Sequence, residues 1–340
     1  MEVRNLDVRE TISKEYGIEI KELEKIKNAY KVTTDEGVYC FKVIKYNYGH
    51  FLFLFNAMKH LQKNGFETVP EFILNKEEKD FIWIHDNRAY LTPWVIAREA
   101  NYDNPIDIEI ASKKLADLHV KSRGFEVADE MNPRIGWLRW IEIFKTRRDE
   151  ILDFKRRINL KHKKSEFDEL YAKYMDEELD RATRSIDNLI NSNYFDVMMQ
   201  QVKHMGFCHH DYAHHNVLIG KDNAVNIIDF DYCILDTHLH DLCSLLIRRM
   251  KDGKWSLENA EEIIMHYDYV NPITPRDIPI MAGFMEFPQA YWQLGIQYYW
   301  EEQPWGEEFF IKKLEKIHGD REYRQEFIED FRSKKWGMIR

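Results

Sequence analysis

His209, His210, Asp211 and Asn216 fall within eight residues, and Asp229 follows thirteen residues after Asn216 inside Ile227-Ile228-Asp229-Phe230-Asp231. Between them, Val217-Leu218-Ile219 and Val225 to Ile228 are short apolar runs separated by Lys221-Asp222-Asn223, the pattern of two strands joined by a turn. A hairpin sets the start of one strand against the end of the other, so this spacing predicts that Asn216 and Asp229 lie close together. A hard dication such as Mg2+ takes oxygen ligands, usually one or two carboxylates together with phosphates of a substrate. Asn216 and Asp229 supply such oxygens, which leaves Asp211 to orient or deprotonate an attacking hydroxyl.

These residues resemble a known family. His209-His210-Asp211 with Asn216, then Ile228-Asp229-Phe230-Asp231, are similar to the catalytic and metal-binding motifs of the aminoglycoside phosphotransferase and choline kinase group. Within that group, Tyr102-Asp103-Asn104-Pro105-Ile106-Asp107 and the run from Tyr30 to Lys45 look most like the spore-coat kinase-like proteins of the CotS type. The resemblance implies an α+β, bilobal protein-kinase-like fold, with a small antiparallel-sheet N-terminal lobe and a larger, mainly helical C-terminal lobe. It further implies ATP as co-substrate, Mg2+ as cofactor, a small-molecule or protein acceptor, and spore-coat proteins as partners.

The same fold implies a lysine on the third strand of the small lobe. Tyr30 to Thr34 and Val38 to Ile44 are β-branched and aromatic runs around Asp35-Glu36-Gly37, and Lys42 sits in the second of them between Phe41 and Val43. A lysine there is either an edge strand's solvent charge or a group aimed into a polar cleft; with the distal motifs it becomes the candidate contact to the α/β-phosphates. Thr92-Pro93-Trp94-Val95 reads as the hinge at about 92–96, with Thr92 and Trp94 as nucleotide-binding candidates, since the family contacts adenine at that edge. Two features depart from the kinase pattern. Leu23 to Lys31 contains no glycine, so its amides cannot approach phosphates as a Gly-rich loop does. No acidic residue occurs between Glu36 and Glu67, and Leu54 falls where the fold expects a glutamate to pair with Lys42. Glu67 is a substitute lying beyond the helix.

The predicted organisation is an N-terminal lobe over residues 1–95, including strands at 71–74, 81–85 and 89–95, and a C-terminal lobe over 96–340. In the second, apolar residues at Ile108, Ala111, Leu115 and Leu118 predict a helix over 106–122, and His238 to Met250 reads as another. Asp241 near the start of the latter is a capping acid, and the family implies that it braces the catalytic loop, 209–216. His209 is assigned to backbone bracing, and Asp231, the last residue of the metal motif 228–231, to a supporting place. Residues 137–202 read as helical, with Arg147-Arg148 and Lys161 to Lys164 on solvated faces. Aromatics interleaved with glutamates at about 280–310 are mostly core by spacing; any that line the cleft would suit an amine or a sugar, and the acceptor region is expected there.

Composition sets limits. With 49 basic and 59 acidic residues, net −10, the chain lacks the basic face that nucleic-acid binding needs. The strongest apolar run, Phe51 to Phe55, is too short to span a bilayer, and no apolar leader follows Met1-Glu2-Val3-Arg4. The expectation is synthesis in the cytoplasm with no nucleic-acid or membrane partner, followed by deposition in the spore coat. Cys40, Cys208, Cys233 and Cys243 have no C-x-x-C spacing and read as buried thiols. Two other function classes stay open. The missing glycines and glutamate favour an inactive kinase fold acting as a structural coat component, whereas keeping Lys42, Asp211, Asn216 and Asp229 together without a task would be costly. His209, His210, His214, His215, His238 and His240 with Asp211 and Asp241 could instead ligate zinc, iron or manganese in a metallohydrolase. That reading does not account for Lys42 or for Ile-Asp-Phe-Asp at hairpin distance.

Overall fold

Alternation of β-branched and aromatic residues from Tyr30 to Ile44 builds the centre of a sheet with one apolar and one polar face. In the computed structural model, which describes residues 5–337, helix α1 (Asn5–Tyr16) precedes β1 (Glu22–Ile26), β2 (Ala29–Thr33) and β3 (Val38–Ile44). Helix α2 (Tyr48–Lys63), β4 (Ile82–Ile84) and β5 (Asn87–Pro93) follow. The strands pair antiparallel in the order β1-β2-β3-β5-β4. Tyr30, Val32, Phe41, Val43 and Leu91 form one core with Val8 and Ile12 of α1. Each large side chain fully buried there is worth roughly 1.5–3 kcal/mol. Cys40, Lys42 and Thr92 alternate with Phe41, Val43 and Leu91, so they stand on the sheet's other face.

Helix α2 starts where the Asn47 side chain accepts the His50 amide at 2.9 Å. It buries Phe51, Phe53, Leu54, Phe55, Met58 and Leu61, so packing rather than charge fixes it. A second sheet, β6 (Arg98–Glu99), β7 (Val217–Ile219) and β8 (Val225–Ile227), contains the hairpin expected from the apolar runs. Val217, Ile219, Val225 and Ile227 are buried and alternate with less buried residues, and a 3-10 turn over Lys221–Asn223 closes the hairpin.

The helices α3 (Pro105–Lys121), α4 (Trp140–Leu160), α5 (Glu166–Asn191), α6 (Tyr194–His204), α7 (Leu239–Met250), α8 (Leu257–Asp268), α9 (Asp277–Glu286), α10 (Gln289–Gly295), α11 (Glu307–Gly319) and α12 (Arg321–Ser333) make a second unit. Helix α3 opens on Asn104, whose side chain accepts the Ile106 and Asp107 amides, with Pro105 at the first helical position. Helix α5 opens on a reciprocal cap between Ser165 and Asp168. Phe154, Tyr171, Tyr291, Tyr299 and Phe310 form its aromatic core. Gly295 is required there, because a Cβ would run into Tyr171 and Phe154.

Several expectations are corrected. Helix α1 and strand β1 carried no recognised signal, and residues 71–74 are not a ladder strand, although the Ile73 amide donates to Leu91 at 2.8 Å. Residues up to 101, 125–134 and 213–233 pack as the first unit, and 102–124, 135–212 and 234 onward as the second. The hairpin is thus packed with the sheet domain although it lies far away in sequence. Arg147 is not on a solvated face; its guanidinium bonds Gln289 at 2.6 Å and lies 4.4 Å from the Trp292 ring, and burial lowers its pKa to about 10. Among the described residues no helix is long and apolar enough to cross a membrane.

Candidate functional site

Lys42 lies in register with Ala29 on β2 and Tyr90 on β5. Its side chain is buried, and Nζ donates to Asp229 Oδ1 at 2.7 Å and to Asp231 Oδ1 at 2.5 Å. Burial alone would strip the proton from such an ammonium, but Tyr90 and the two carboxylates raise its pKa above the usual lysine value. Burial holds the Tyr90 phenol neutral, so the carboxylates are the partners that matter. Burial pushes the Asp231 carboxyl up, Lys42 opposes, and the like charge of Asp229 adds to the push. Two acids thus share one cation.

Asp229 reaches Lys42 because its backbone turns into the left-handed region, φ 65°, immediately after β8. Aspartate tolerates that conformation better than most residues, and such strain concentrates at functional sites. Across the hairpin, Val217 pairs with Ile227, and the Ile228 amide donates to the Asn216 carbonyl at 3.1 Å. Asn216 is buried, whereas the Asp229 side chain is 34% exposed. The hairpin therefore holds an amide and a partly accessible carboxylate at adjacent strand ends, an all-oxygen donor set that fits a hard dication rather than a soft one.

A cavity of about 170 Å³ opens beside these groups, lined by Lys42, Thr92, Trp94 and Asp229 and by apolar residues including Met58, Val69 and Leu218. Thr92 is buried opposite Cys40. The Trp94 amide is bonded to the Val38 carbonyl at 2.9 Å. Cys40 is no nucleophile, since burial pushes its thiol up to about 11. Asn28, in the tight turn between β1 and β2 and without a sequence signal, donates its side-chain amide to Asp231 Oδ2 at 3.2 Å. That turn, with Lys27 at φ 53°, stands where the kinase pattern has a Gly-rich loop.

Asp211 belongs to the second unit. Just before it, His210 adopts a left-handed conformation, φ 69°. Asp241 of α7 is fully buried and accepts the His209 amide at 2.7 Å and the His210 amide at 2.9 Å, as well as His119 Nε2 at 3.2 Å. It braces this backbone and makes no cap to its own helix. Burial works to raise Asp241, yet the hydrogen bond from His119 and the nearby His240, 3.6 Å away, hold it well below the usual carboxylate range. His209 is buried edge-on to the Tyr212 ring. Asp211 Oδ1 accepts Arg248 Nη2 at 2.7 Å, a partner that the sequence did not disclose.

The aromatic stretch at 280–310 points mostly inward. Phe287, Tyr291, Tyr299 and Phe310 are buried, and Glu286 is buried against Arg184, Asn188 and Arg332; Trp300, Trp305 and Phe309 remain exposed. The histidine-rich hydrolase reading also loses ground. Among the described residues, the cluster able to gather on a metal is His119, Cys208 and Asp241, all buried. His119 in it is already bonded to Tyr267 at 2.6 Å and to Asp241. The histidines at 210, 214 and 215 take no part.

A small domain built on a five-stranded antiparallel sheet with a buried lysine on its third strand, and a second, helical domain, define a protein-kinase-like fold. The chain belongs to the family described as "Spore coat putative kinase YutH", whose model matches residues 9–331. It is 23% identical to spore coat protein S of Bacillus subtilis (strain 168) over 305 residues, 88% of this chain and 85% of that protein. The fold is similar to that of an aminoglycoside phosphotransferase from Alicyclobacillus acidocaldarius, with TM-score 0.83, 21% identity and 95% of both chains covered. It also matches a spectinomycin phosphotransferase in complex with ADP and spectinomycin, with TM-score 0.67, 15% identity, and 97% of this chain and 99% of that one covered.

Proposed function

We propose that this protein is an ATP- and Mg2+-dependent phosphotransferase that phosphorylates a hydroxyl of a small molecule or a protein, and that it acts in association with the spore coat. The observation that carries this reading is the buried Lys42 ammonium held against Asp229 on the wall of a cavity that Thr92 and Trp94 also line. In this reading, Lys42 steadies the α/β-phosphates, and Thr92 and the Trp94 ring bound the base. Asn216 and Asp229 hold the magnesium ion, which neutralises phosphate charge when bound. Asp211 orients the acceptor hydroxyl and takes its proton, at a backbone position that Asp241 fixes. Most of the acceleration would come from positioning and electrostatics, because the transferred group does little covalent chemistry with the protein.

Titration of the full chain with Mg-ATP tests this. Saturation to about 100 times the dissociation constant should add about 2.7 kcal/mol of stability. Asp229→Asn should abolish that gain, and Asp211→Asn should keep it while turnover falls by about a thousandfold or more. Unchanged Mg-ATP binding in Asp229→Asn would refute the metal assignment. The Lys27-Asn28 turn and Leu54 in α2 support a second reading, a coat component that keeps the fold without catalysis. Absence of any thermal shift at millimolar nucleotide would favour it.

A further inference from the structure

We propose that Asp231 takes the place of a helix-borne glutamate as the group that positions Lys42 for nucleotide phosphates; the inference rests on the phosphotransferase reading above. In the kinase template the strand lysine is oriented by a glutamate on the following helix. Here α2 carries no carboxylate at all, and Leu54 is buried in an apolar face with Phe51, Phe55 and Met58. The charge is supplied from elsewhere in the same unit. Leu54 and Asp231 line one small void together with Tyr90 and Phe230, so a carboxylate from the turn after β8 arrives beside the side chain that would have carried one.

Its geometry suits a positioning role. Asp231 Oδ1 is 2.5 Å from Lys42 Nζ, and Asp231 Oδ2 accepts the Asn28 side-chain amide at 3.2 Å. Both oxygens are therefore engaged, and the carboxylate is fixed by a 3-10 turn over Phe230–Tyr232 rather than by a flexible tip. Its side chain is 11% exposed, against 34% for Asp229. A buried ion pair with satisfied oxygens resists exchange, whereas the more accessible Asp229 is the acid that can turn to an incoming cation. Lys42 thus has one permanent partner and one exchangeable partner. Asn28 ties the permanent one to the β1–β2 turn, so the turn that lacks glycine still contributes through a side chain.

The test is a double-mutant cycle on the full chain, with Asp231→Asn, Lys42→Met and both together. Dissociation constants are measured for Mg-ATP, for ATP in EDTA, and for adenosine. Asp231→Asn should weaken ATP about tenfold with and without magnesium, leave adenosine unchanged, and have no further effect once Lys42 is methionine. Asn28→Ala should reproduce the loss at about threefold, the effect expected of one polar contact. Losses that add across the cycle would show that Asp231 does not act through Lys42 and would overturn the proposal. A loss confined to magnesium would make Asp231 a metal ligand and overturn it equally. Failure of the parent chain to bind Mg-ATP would instead sink the phosphotransferase reading itself. A fall in adenosine affinity equal to that for ATP would mark general damage to the fold and count against a positioning role.

Discussion

Two acid clusters, one in each unit, hold their carboxylates in opposite ways. In the sheet unit, Asp229 and Asp231 converge on a single ammonium, and one of them is a third exposed. In the helical unit, Asp241 is wholly enclosed and bonded to two backbone amides and to His119. The first cluster includes one partner, Asp229, that is accessible enough to be exchanged; the second is a fixed brace. Groups that meet a charged ligand must be able to exchange partners, whereas a brace keeps a backbone from moving.

The largest effect should come from breaking the brace. Asp241→Ala leaves two amides and an imidazole without their acceptor in a closed interior, and should cost about 3–5 kcal/mol in chemical denaturation. Asp241 is held well below the usual carboxylate range, so its stabilisation should be complete above about pH 4 and vanish only as pH falls lower still. A loss under about 1 kcal/mol in Asp241→Ala would erase the distinction between the two clusters.

A neighbouring acid sharpens it with the reverse sign. Asp236 is raised to about 6 by burial, which outweighs the charge of His240 and the bonds from Trp140 and the Thr237 amide. Here the folded chain binds the proton more tightly than the unfolded one. Stability should therefore fall by about 3 kcal/mol as pH rises from about 4 to about 6, then level off. Asp236→Asn should remove that fall, which melting curves across the window would show as a flatter profile than the parent's. Gly136→Ala, whose Cβ would press into the Asp236 carboxylate, should lower stability by about 1–3 kcal/mol through overpacking.

The smallest effect is expected where the bond is half open to solvent. Arg248 and Asp211 form a pair in which both side chains are about 30% exposed, at 31% and 29%. Arg248→Ala should change stability by less than about 1 kcal/mol. With Asp211 as the base, the same variant should lower turnover by less than about tenfold without weakening Mg-ATP, as initial rates and nucleotide titration would show.

Much of this could be read from the chain because it is local. The hairpin that aligns Asn216 with Asp229 follows from two apolar runs and a turn, and α3 from the helical period of Ile108, Ala111, Leu115 and Leu118. The burial of Cys208, Cys233 and Cys243 was legible for the same reason. What escaped depended on partners distant in sequence. Asn28 meets Asp231 across 203 residues and His119 meets Asp241 across 122, and no local period marks either. The strand β1 went unseen because Glu22, Glu24 and Lys25 leave it little apolar alternation, and pairing with β2 makes it a strand. Arg147 looked like a solvated charge because its stack on Trp292 joins α4 to α10.

The sequence by itself determined the order of chemical groups: a lysine on a strand, an acid and an amide before a hairpin, a pair of acids after it. Spacing along a backbone of fixed geometry is enough for that, because hydrogen-bonded turns and strand registers are short-range. Tertiary structure alone decided which of those groups answer one another: that Asp231 shares Lys42, that Asp241 grips the His209 and His210 amides, and that residues 213–233 fold with the first sheet. Those choices depend on burial, where a charge must find a counter-charge among whatever the packing brings near, and packing is a property of the whole chain.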